Sequence, residues 1–281
     1  DTISMSPTAD NSPYFTIEID GVYKGRVGVT KTGWLTLASG LENTEHTVKF
    51  TRSGEATRGK LSADKIRVLS DADESEAKPK NTAAKSHKLE FYGDSYTVGY
   101  ANVYDASEIQ SNGAVWETGK NTDFYNSYAG IVSRAFDADA NVIASSGKGI
   151  VKNGDDSTET TITNQIGLAD LKIRKTDAPS AWNFNDYTPN AVVIFLGTND
   201  KSANVSDNDF AKGYSDFISK LAEKYGTSGE NIKYILITKS GLYENAVNTM
   251  LDDLGWSKNG DDNMYFFKYS KFETDEHTGH P

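Results

Sequence analysis

The chain has 281 residues, no cysteine, a formal net charge of −11 and a sequence pI of about 4.9. The acidic balance argues against nucleic acid, whose phosphates need a basic surface. It also argues against anionic membrane surfaces, which select clusters of Lys and Arg. No apolar run approaches the roughly 20 residues that a membrane-spanning helix needs. A neutral or sparsely charged polymer meets no such electrostatic penalty.

Composition also bears on the compartment. A chain without cysteine fits the cytosol, and it equally fits the secreted bacterial proteins that avoid free thiols. Fifteen Tyr, with many Asn, Asp, Ser and Thr, favour an extracellular, carbohydrate-active bacterial protein. The chain opens at Asp1 without a Met, so we expect an upstream segment to have been removed or left out.

The first part of the chain is rich in strand signals. Residues 14–20 alternate with period two, Asp20-Gly21 offers a tight turn, and residues 22–29 resume the strand pattern. Further strand patterns cover residues 34–38, 46–51 and 65–69. Short strands at this spacing predict a jelly-roll-like β-sandwich domain over residues 1–80. The polar, charged stretch 71–86 is typical of a linker or a surface strap.

Beyond this stretch, strand and helix patterns alternate. Strands are predicted over residues 88–92, 141–144, 191–196, 232–238 and 264–267, and helices over 125–136, 210–225 and a stretch ending at 254. The continuous apolar run 191–196 is typical of a parallel strand that is buried on both faces. The alternation predicts an α/β domain with a parallel sheet over residues 81–281.

Ligands of such sheets bind beyond the carboxyl ends of the strands, so the residues that follow each strand are the candidates. They are Gly93-Asp94-Ser95, Ser145-Ser146-Gly147, Gly197-Thr198-Asn199-Asp200 and the last residues, 275–281, which include His280. Together they supply a hydroxyl, backbone amides, a side-chain amide and an imidazole. Acyl transfer needs such a set: a serine with a base, and donors for the oxyanion from the N–H groups of Ser95 and Gly147 and the Asn199 amide.

These four ordered blocks resemble those of the SGNH hydrolases. The finer resemblance is to carbohydrate esterase family 2, and it rests on Ile19-Asp-Gly21, residues 37–48, Ser146-Gly-Lys-Gly149, Trp182-Asn-Phe184 and residues 189–200. The resemblance implies a β-sandwich ahead of an SGNH hydrolase domain, with Ser95 as nucleophile and His280 as base. It further implies removal of acetyl groups from plant polysaccharides such as xylan or glucomannan, without a cofactor.

Two departures from the family pattern matter. SGNH enzymes usually carry Asp three residues before the histidine, whereas this chain has His277 there and Asp275 five residues before. A backbone carbonyl orients His280 in one interpretation, and Asp275 does so in the other. Relatives continue into a final helix, so we expect that helix to be missing here. The alternatives are a polysaccharide-binding module with a decayed esterase site, or a lipase-like SGNH esterase.

Each of the remaining candidate residues has either a structural or a functional interpretation. Trp116, in a polar insertion over residues 102–124, and Trp182 are each either a sugar contact or a packing residue. Asp94 and Asp200 are expected to brace their loops. The cluster Asp275, Glu276, His277 and His280 has a spacing too loose for a metal site, so no metal is predicted.

Overall fold

The structure, a computed structural model, describes residues 2–9, 13–29, 33–55, 57, 61–69, 79–103, 119–226, 231–256 and 263–269. The chain divides into two compact units. The first comprises Asp1–Ala84 and Ala101–Asn126, and the second comprises Lys85–Tyr100 and Ser127–Pro281. The predicted domains, 1–80 and 81–281, stay a prediction. The described residues of the predicted insertion after Ser95 group with the first unit.

The first unit contains two antiparallel three-stranded sheets, with orders β4-β1-β6 and β3-β2-β5. Their strands are β1 (Thr2–Ala9), β2 (Tyr14–Ile19), β3 (Val22–Gly28), β4 (Leu35–Ser39), β5 (Val48–Arg52) and β6 (Leu61–Leu69). Apolar side chains of both sheets meet in one core, including Met5 of β1 and Phe15 and Ile17 of β2. The predicted β-sandwich is confirmed.

Strand β1 was not predicted from the sequence. Pro7 lies inside it, and a proline cannot donate to a ladder, which argues against a strand assignment. The structure accommodates the proline at an irregularity, because the register between β1 and β6 shifts between Ser6 and Pro7. The strand therefore keeps its pairing on both sides of a residue that normally interrupts one.

The second unit is built on a five-stranded parallel sheet of order β11-β10-β9-β7-β8. In chain order its elements are β7 (His87–Gly93), α1 (Ser95–Val98), α2 (Tyr128–Ala135), β8 (Ala138–Ala144), β9 (Ala191–Phe195), α3 (Thr198–Ser202), α4 (Asp207–Tyr225), β10 (Lys233–Lys239), α5 (Glu244–Asp253) and β11 (Met264–Tyr269). Short 3₁₀ turns cover Phe124–Asn126 and Ile162–Gln165. The predicted α/β fold with a parallel sheet is confirmed.

Helices cover both faces of this sheet. Helix α4 buries its apolar side against Tyr92, Val192 and Ile194 on one face. On the other face, Tyr128 of α2 contacts the rings of Phe91 and Phe195. With both faces covered, the loops beyond the carboxyl ends of the strands are where polar groups gather. Among the described residues, no helix combines the length and the apolar character needed to cross a membrane.

The predicted helix over 125–136 begins later than expected. The side chain of Ser127 accepts a hydrogen bond from the Gly130 N–H and caps α2 at its amino end. The residues before Ser127 form a 3₁₀ turn that belongs to the first unit. The apolar pattern of the sequence therefore continues past the start of the helix, which the Ser127 cap sets.

Candidate active site

Ser95 is the first residue of α1, directly beyond the carboxyl end of β7. Asp94 caps this short helix, since its Oδ1 accepts the Tyr96 N–H at 3.1 Å. A Cβ atom at Gly93 would collide with Thr97 Oγ1, so only glycine lets the helix begin so close to the strand. Ser95 is 8% exposed, which keeps its hydroxyl at the border between protein and solvent.

The loop after β8 holds Gly147 in a left-handed conformation, with φ of 80°. Its carbonyl accepts the Gly154 N–H at 2.8 Å, which closes the loop. The next residue, Lys148, is buried and donates from Nζ to Thr160 Oγ1 at 2.6 Å. Burial lowers the pKa of the Lys148 ammonium, and the nearby Asp155 opposes this change. A buried lysine thus lies one residue from the candidate oxyanion donor.

Asn199 joins the three loops. It lies in α3, which follows β9, and its Nδ2 donates to Asp94 Oδ2 at 3.2 Å and to the Lys148 carbonyl at 2.9 Å. One amide group therefore links the segment that carries Ser95 to the segment that carries Gly147. The three loops meet at one edge of the sheet, as the parallel strand order requires.

Asp200 fixes the shape of the second loop. It is fully buried, and its carboxylate accepts the N–H groups of Ile150, Val151 and Lys152 at 3.0, 2.7 and 3.1 Å. Burial raises the pKa of Asp200, and the three backbone donors oppose that rise. Asp200 braces the loop, and sequence reasoning had assigned it this structural role.

A row of contacting aromatic rings begins at Tyr96, next to the candidate nucleophile Ser95, and was not predicted from the sequence. Tyr96 stacks on Phe195 with ring centroids 5.2 Å apart, and Phe195 contacts the ring of Tyr269 at 6.3 Å. Thr97 Oγ1 hydrogen-bonds the Tyr128 hydroxyl at 2.9 Å. Burial raises the pKa of Tyr96, so its hydroxyl stays neutral. The sequence signal that could have predicted this row is the presence of aromatic residues, Phe195 and Tyr269, at the last positions of two strands.

Several predicted site residues lie outside the described residues. They are His280, Asp275 and Trp116, and their roles stay predictions. The described part ends at Tyr269, whose carbonyl accepts the Ser240 N–H at 2.8 Å. Because β11 is parallel to β10, the chain leaves the described part at the edge of the sheet where Ser95 lies.

Trp182 lies away from that edge. It lines a cavity of about 60 Å³ over one face of the sheet, together with Glu90 and Tyr92 of β7 and Asn141 of β8. Its indole N–H is buried and has no hydrogen-bond partner among the described residues. No described contact brings Trp182 together with Ser95, and its role as a sugar contact stays a prediction.

The acidic and histidine cluster of residues 275–280 also lies outside the described residues. Within the part of the chain that the structure describes, no group of three or more His, Cys, Asp or Glu side chains is arranged to hold a metal ion. The described groups at this edge of the sheet include the Ser95 hydroxyl, the Asn199 amide and the backbone N–H groups of the loops.

Two curated proteins are similar to this chain in sequence. Cellulase/esterase CelE of Acetivibrio thermocellus is 36% identical over 141 residues, which are 49% of this chain and 16% of that protein. The acetylxylan esterase / glucomannan deacetylase of Cellvibrio japonicus is 30% identical over 156 residues, 52% of this chain and 41% of that protein. The chain thus spans less than half the length of these curated relatives.

A solved structure shares the fold. A family two carbohydrate esterase from Clostridium thermocellum, in complex with cellohexaose, matches with a TM-score of 0.75 and 24% identity. The match covers 97% of this chain and 81% of that one. The predicted resemblance to SGNH hydrolases and to carbohydrate esterase family 2 is confirmed, the latter at the level of the fold. Residues 89–279, more than half of the chain, match the family model "GDSL-like Lipase/Acylhydrolase", and the chain belongs to that family.

Proposed function

We propose that this chain is a secreted serine esterase that removes O-acetyl groups from plant polysaccharides such as xylan or glucomannan. The observation that carries the proposal is the junction of Asp94, Lys148 and Asn199, which sets Ser95 and Gly147 at one edge of the sheet. The names of the two curated relatives, an esterase and an acetylxylan esterase / glucomannan deacetylase, support the same reaction class.

The reaction proceeds through an acyl enzyme. Ser95 Oγ attacks the acetyl carbonyl while His280 accepts the hydroxyl proton. His280 then gives that proton to the sugar oxygen as the ester bond breaks. A water molecule then bonds to the acyl carbon and passes one proton to His280. His280 returns that proton to Ser95 Oγ as the acyl bond breaks and acetic acid leaves, which ionises to acetate in solution.

The oxyanion is stabilised by donors that are in place before the substrate arrives. Among the described residues, neither the Ser95 N–H nor the Gly147 N–H has a hydrogen-bond partner, which leaves both for the oxyanion. The Asn199 amide is already shared, so an oxyanion would replace the longer of its two bonds, the one to Asp94. His280 is oriented by a backbone carbonyl or by Asp275.

The test is acetate release from acetylated xylan and acetylated glucomannan. Ser95→Ala should lower kcat by several orders of magnitude, as removal of a triad member does. The fold should be retained, because the substitution removes only one hydroxyl, at the first residue of α1.

Ser202→Ala is the matched control, since Ser202 is an exposed serine of α3. Retention of more than about a tenth of the activity in Ser95→Ala would exclude Ser95 as the nucleophile. Rates that rise from acetyl to butyryl esters would favour the lipase-like alternative. Binding of the polysaccharide without any acetate release would favour the binding module.

A further inference from the structure

A buried lysine side chain crosses the loop that carries the candidate oxyanion donor Gly147. Lys148 is only 7% exposed, and its Nζ donates to Thr160 Oγ1 at 2.6 Å. Thr160 is also buried and lies 12 residues further along the chain. Because a lysine is almost never fully buried without a partner, this hydrogen bond is a requirement of the loop. It ties the beginning of the loop to its end.

Asn153 binds the same hydroxyl group from the middle of the loop. It is buried, and its Nδ2 donates to Thr160 Oγ1 at 3.1 Å and to Ser157 Oγ at 2.9 Å. Its Oδ1 accepts the Gly149 N–H at 3.2 Å. The Thr160 oxygen therefore accepts hydrogen bonds from two buried side chains, those of Lys148 and Asn153, and holds three parts of the loop together.

The backbone next to Gly147 is held at three points. The Gly147 carbonyl accepts the Gly154 N–H at 2.8 Å, and the Lys148 N–H donates to the Ser145 carbonyl at 3.3 Å. The Lys148 carbonyl accepts Asn199 Nδ2 at 2.9 Å. The Gly147 N–H itself has no hydrogen-bond partner within the described part of the chain. The surrounding bonds thus fix the backbone while the N–H stays available to a ligand.

The far side of the loop lies beside the Asn199 amide. A Cβ atom at Gly154 would be 3.0 Å from Asn199 Oδ1, so the backbone of Gly154 closely approaches that side chain. Gly154 directly follows Asn153, which the Thr160 hydroxyl holds. A shift of this part of the loop would therefore act on both candidate oxyanion donors, the Gly147 N–H and the Asn199 amide.

We propose that Lys148 is a positioning residue for the Gly147 N–H, acting through the hydrogen bond from its Nζ to Thr160. The inference rests on the proposed function, because it assigns the Gly147 N–H to the oxyanion. The alternative is that the ammonium group stabilises the oxyanion by its charge alone. The two roles differ in what they require of Thr160, because only the positioning role needs its hydroxyl group.

The test compares Lys148→Met, Thr160→Val and Thr160→Ser in the hydrolysis of 4-nitrophenyl acetate, well below the unfolding midpoint of each variant. Lys148→Met and Thr160→Val should each lower kcat about 10–100-fold with little change in KM, since small displacements of reacting groups are costly. Thr160→Ser keeps the hydroxyl group and should retain a kcat close to the wild-type value. The double variant Lys148→Met/Thr160→Val should be no slower than the slower single variant, because both changes remove the same hydrogen bond.

Lys175→Met is the matched control. The Lys175 side chain is 76% exposed, and its Nζ pairs at 3.0 Å with Glu159, the residue before Thr160. An exposed ion pair contributes little, so this variant should keep the wild-type kcat. Wild-type kcat in Lys148→Met refutes the inference, even if the unfolding midpoint falls. A loss of kcat in Lys148→Met with wild-type kcat in Thr160→Val also refutes it, because that result indicates an effect of charge alone.

A fluorophosphonate probe that labels Ser95 separates this inference from the proposed substrate. Phosphonylation of the serine also places an anionic oxygen among the oxyanion donors, so the labelling of Lys148→Met should be slow. Slow labelling of this variant, with normal labelling of Lys175→Met, supports the inference, and labelling at the wild-type rate refutes it. A wild-type chain that is labelled but releases no acetate from acetylated polysaccharide refutes the proposed substrate alone.

Discussion

Two buried carboxylates in the same unit are satisfied in different ways. Asp200, at the carboxyl edge of the sheet, accepts three consecutive backbone N–H groups of a loop. Glu90, in the middle of β7, accepts the Tyr225 hydroxyl at 2.8 Å and Asn141 Nδ2 at 2.9 Å. Burial raises the pKa of both groups.

The difference lies in what each carboxylate organises. A carboxylate bound by successive amides determines the path of the loop, so Asp200 acts on the geometry around Gly147. A carboxylate bound by side chains from a strand and a helix links packed elements, so Glu90 acts on the stability of the unit. The contrast predicts that substitutions at the edge change activity, whereas those in the middle of the sheet change stability.

Among the substitutions that test this contrast, the largest effect is expected at Asn199. Asn199→Ala removes the amide that joins Asp94 to the Lys148 carbonyl, together with an oxyanion donor, and should lower kcat by about 10²–10³-fold. Asn199→Asp should lose more, because it places a carboxylate against two acceptors. Steady-state hydrolysis of 4-nitrophenyl acetate measures both effects.

Asn164→Ala is the matched control for Asn199, because Asn164 is an exposed asparagine whose side chain also donates to a backbone carbonyl, that of Thr158. It should leave kcat close to the wild-type value. Wild-type kcat in Asn199→Ala would show that the junction of the three loops does not contribute to the chemistry.

Asp200→Asn should have the next largest effect. The new NH₂ group faces backbone N–H donors and leaves at least one of them without an acceptor, which costs about 1–3 kcal/mol. We expect the loop to shift and kcat to fall about 10–100-fold, since misplacement by about 1 Å can cost that much. Activity and the free energy of unfolding should be measured together. Asp216→Asn, which changes an exposed carboxylate in the middle of α4, should change neither.

Local patterns explain why much of the fold was predictable. The run 191–196 became β9, and the turn residues after β7, β8 and β9 became the loops that meet at Asn199. The rule that ligands of parallel sheets bind beyond the carboxyl ends of the strands needs only the alternation of strands and helices. These inferences depend on neighbours within a few residues, which a single sequence displays.

Distant pairings left no such signal. Arg26 and Asp123 form an ion pair although they lie almost a hundred residues apart in the sequence. Neither residue is unusual for its own segment. In the sequence, Glu90 interrupts an apolar strand and resembles a solvent-facing residue. In the structure it is buried, and it accepts a hydrogen bond from the distant Tyr225 hydroxyl. The sequence leaves Trp182 as either a sugar contact or a packing residue, and no local pattern indicates the cavity that it lines with Glu90.

The smallest effect on activity is expected for Glu90→Gln, which should leave kcat close to wild type and change the pH dependence of stability. The raised pKa of Glu90 means that the folded state holds its proton more tightly than the unfolded state. Its contribution to stability is therefore complete below the ordinary value of 4.5 and is lost as pH rises through the raised folded value. Glutamine carries no charge at any pH, so the variant lacks this dependence.

Urea unfolding from pH 4 to pH 8 measures this dependence. At pH 4 the variant should be less stable by about 1 kcal/mol, because the amide alters one hydrogen bond. That deficit should shrink as pH rises, because only the wild-type group acquires a buried charge. Glu223→Gln, an exposed glutamate on the same helix as Tyr225, should follow the wild-type curve. A deficit that grows with pH would mean that the ionised form of Glu90 is favoured in the fold. A large loss of kcat in Glu90→Gln would contradict the prediction that substitutions in the middle of the sheet change stability and leave activity unchanged.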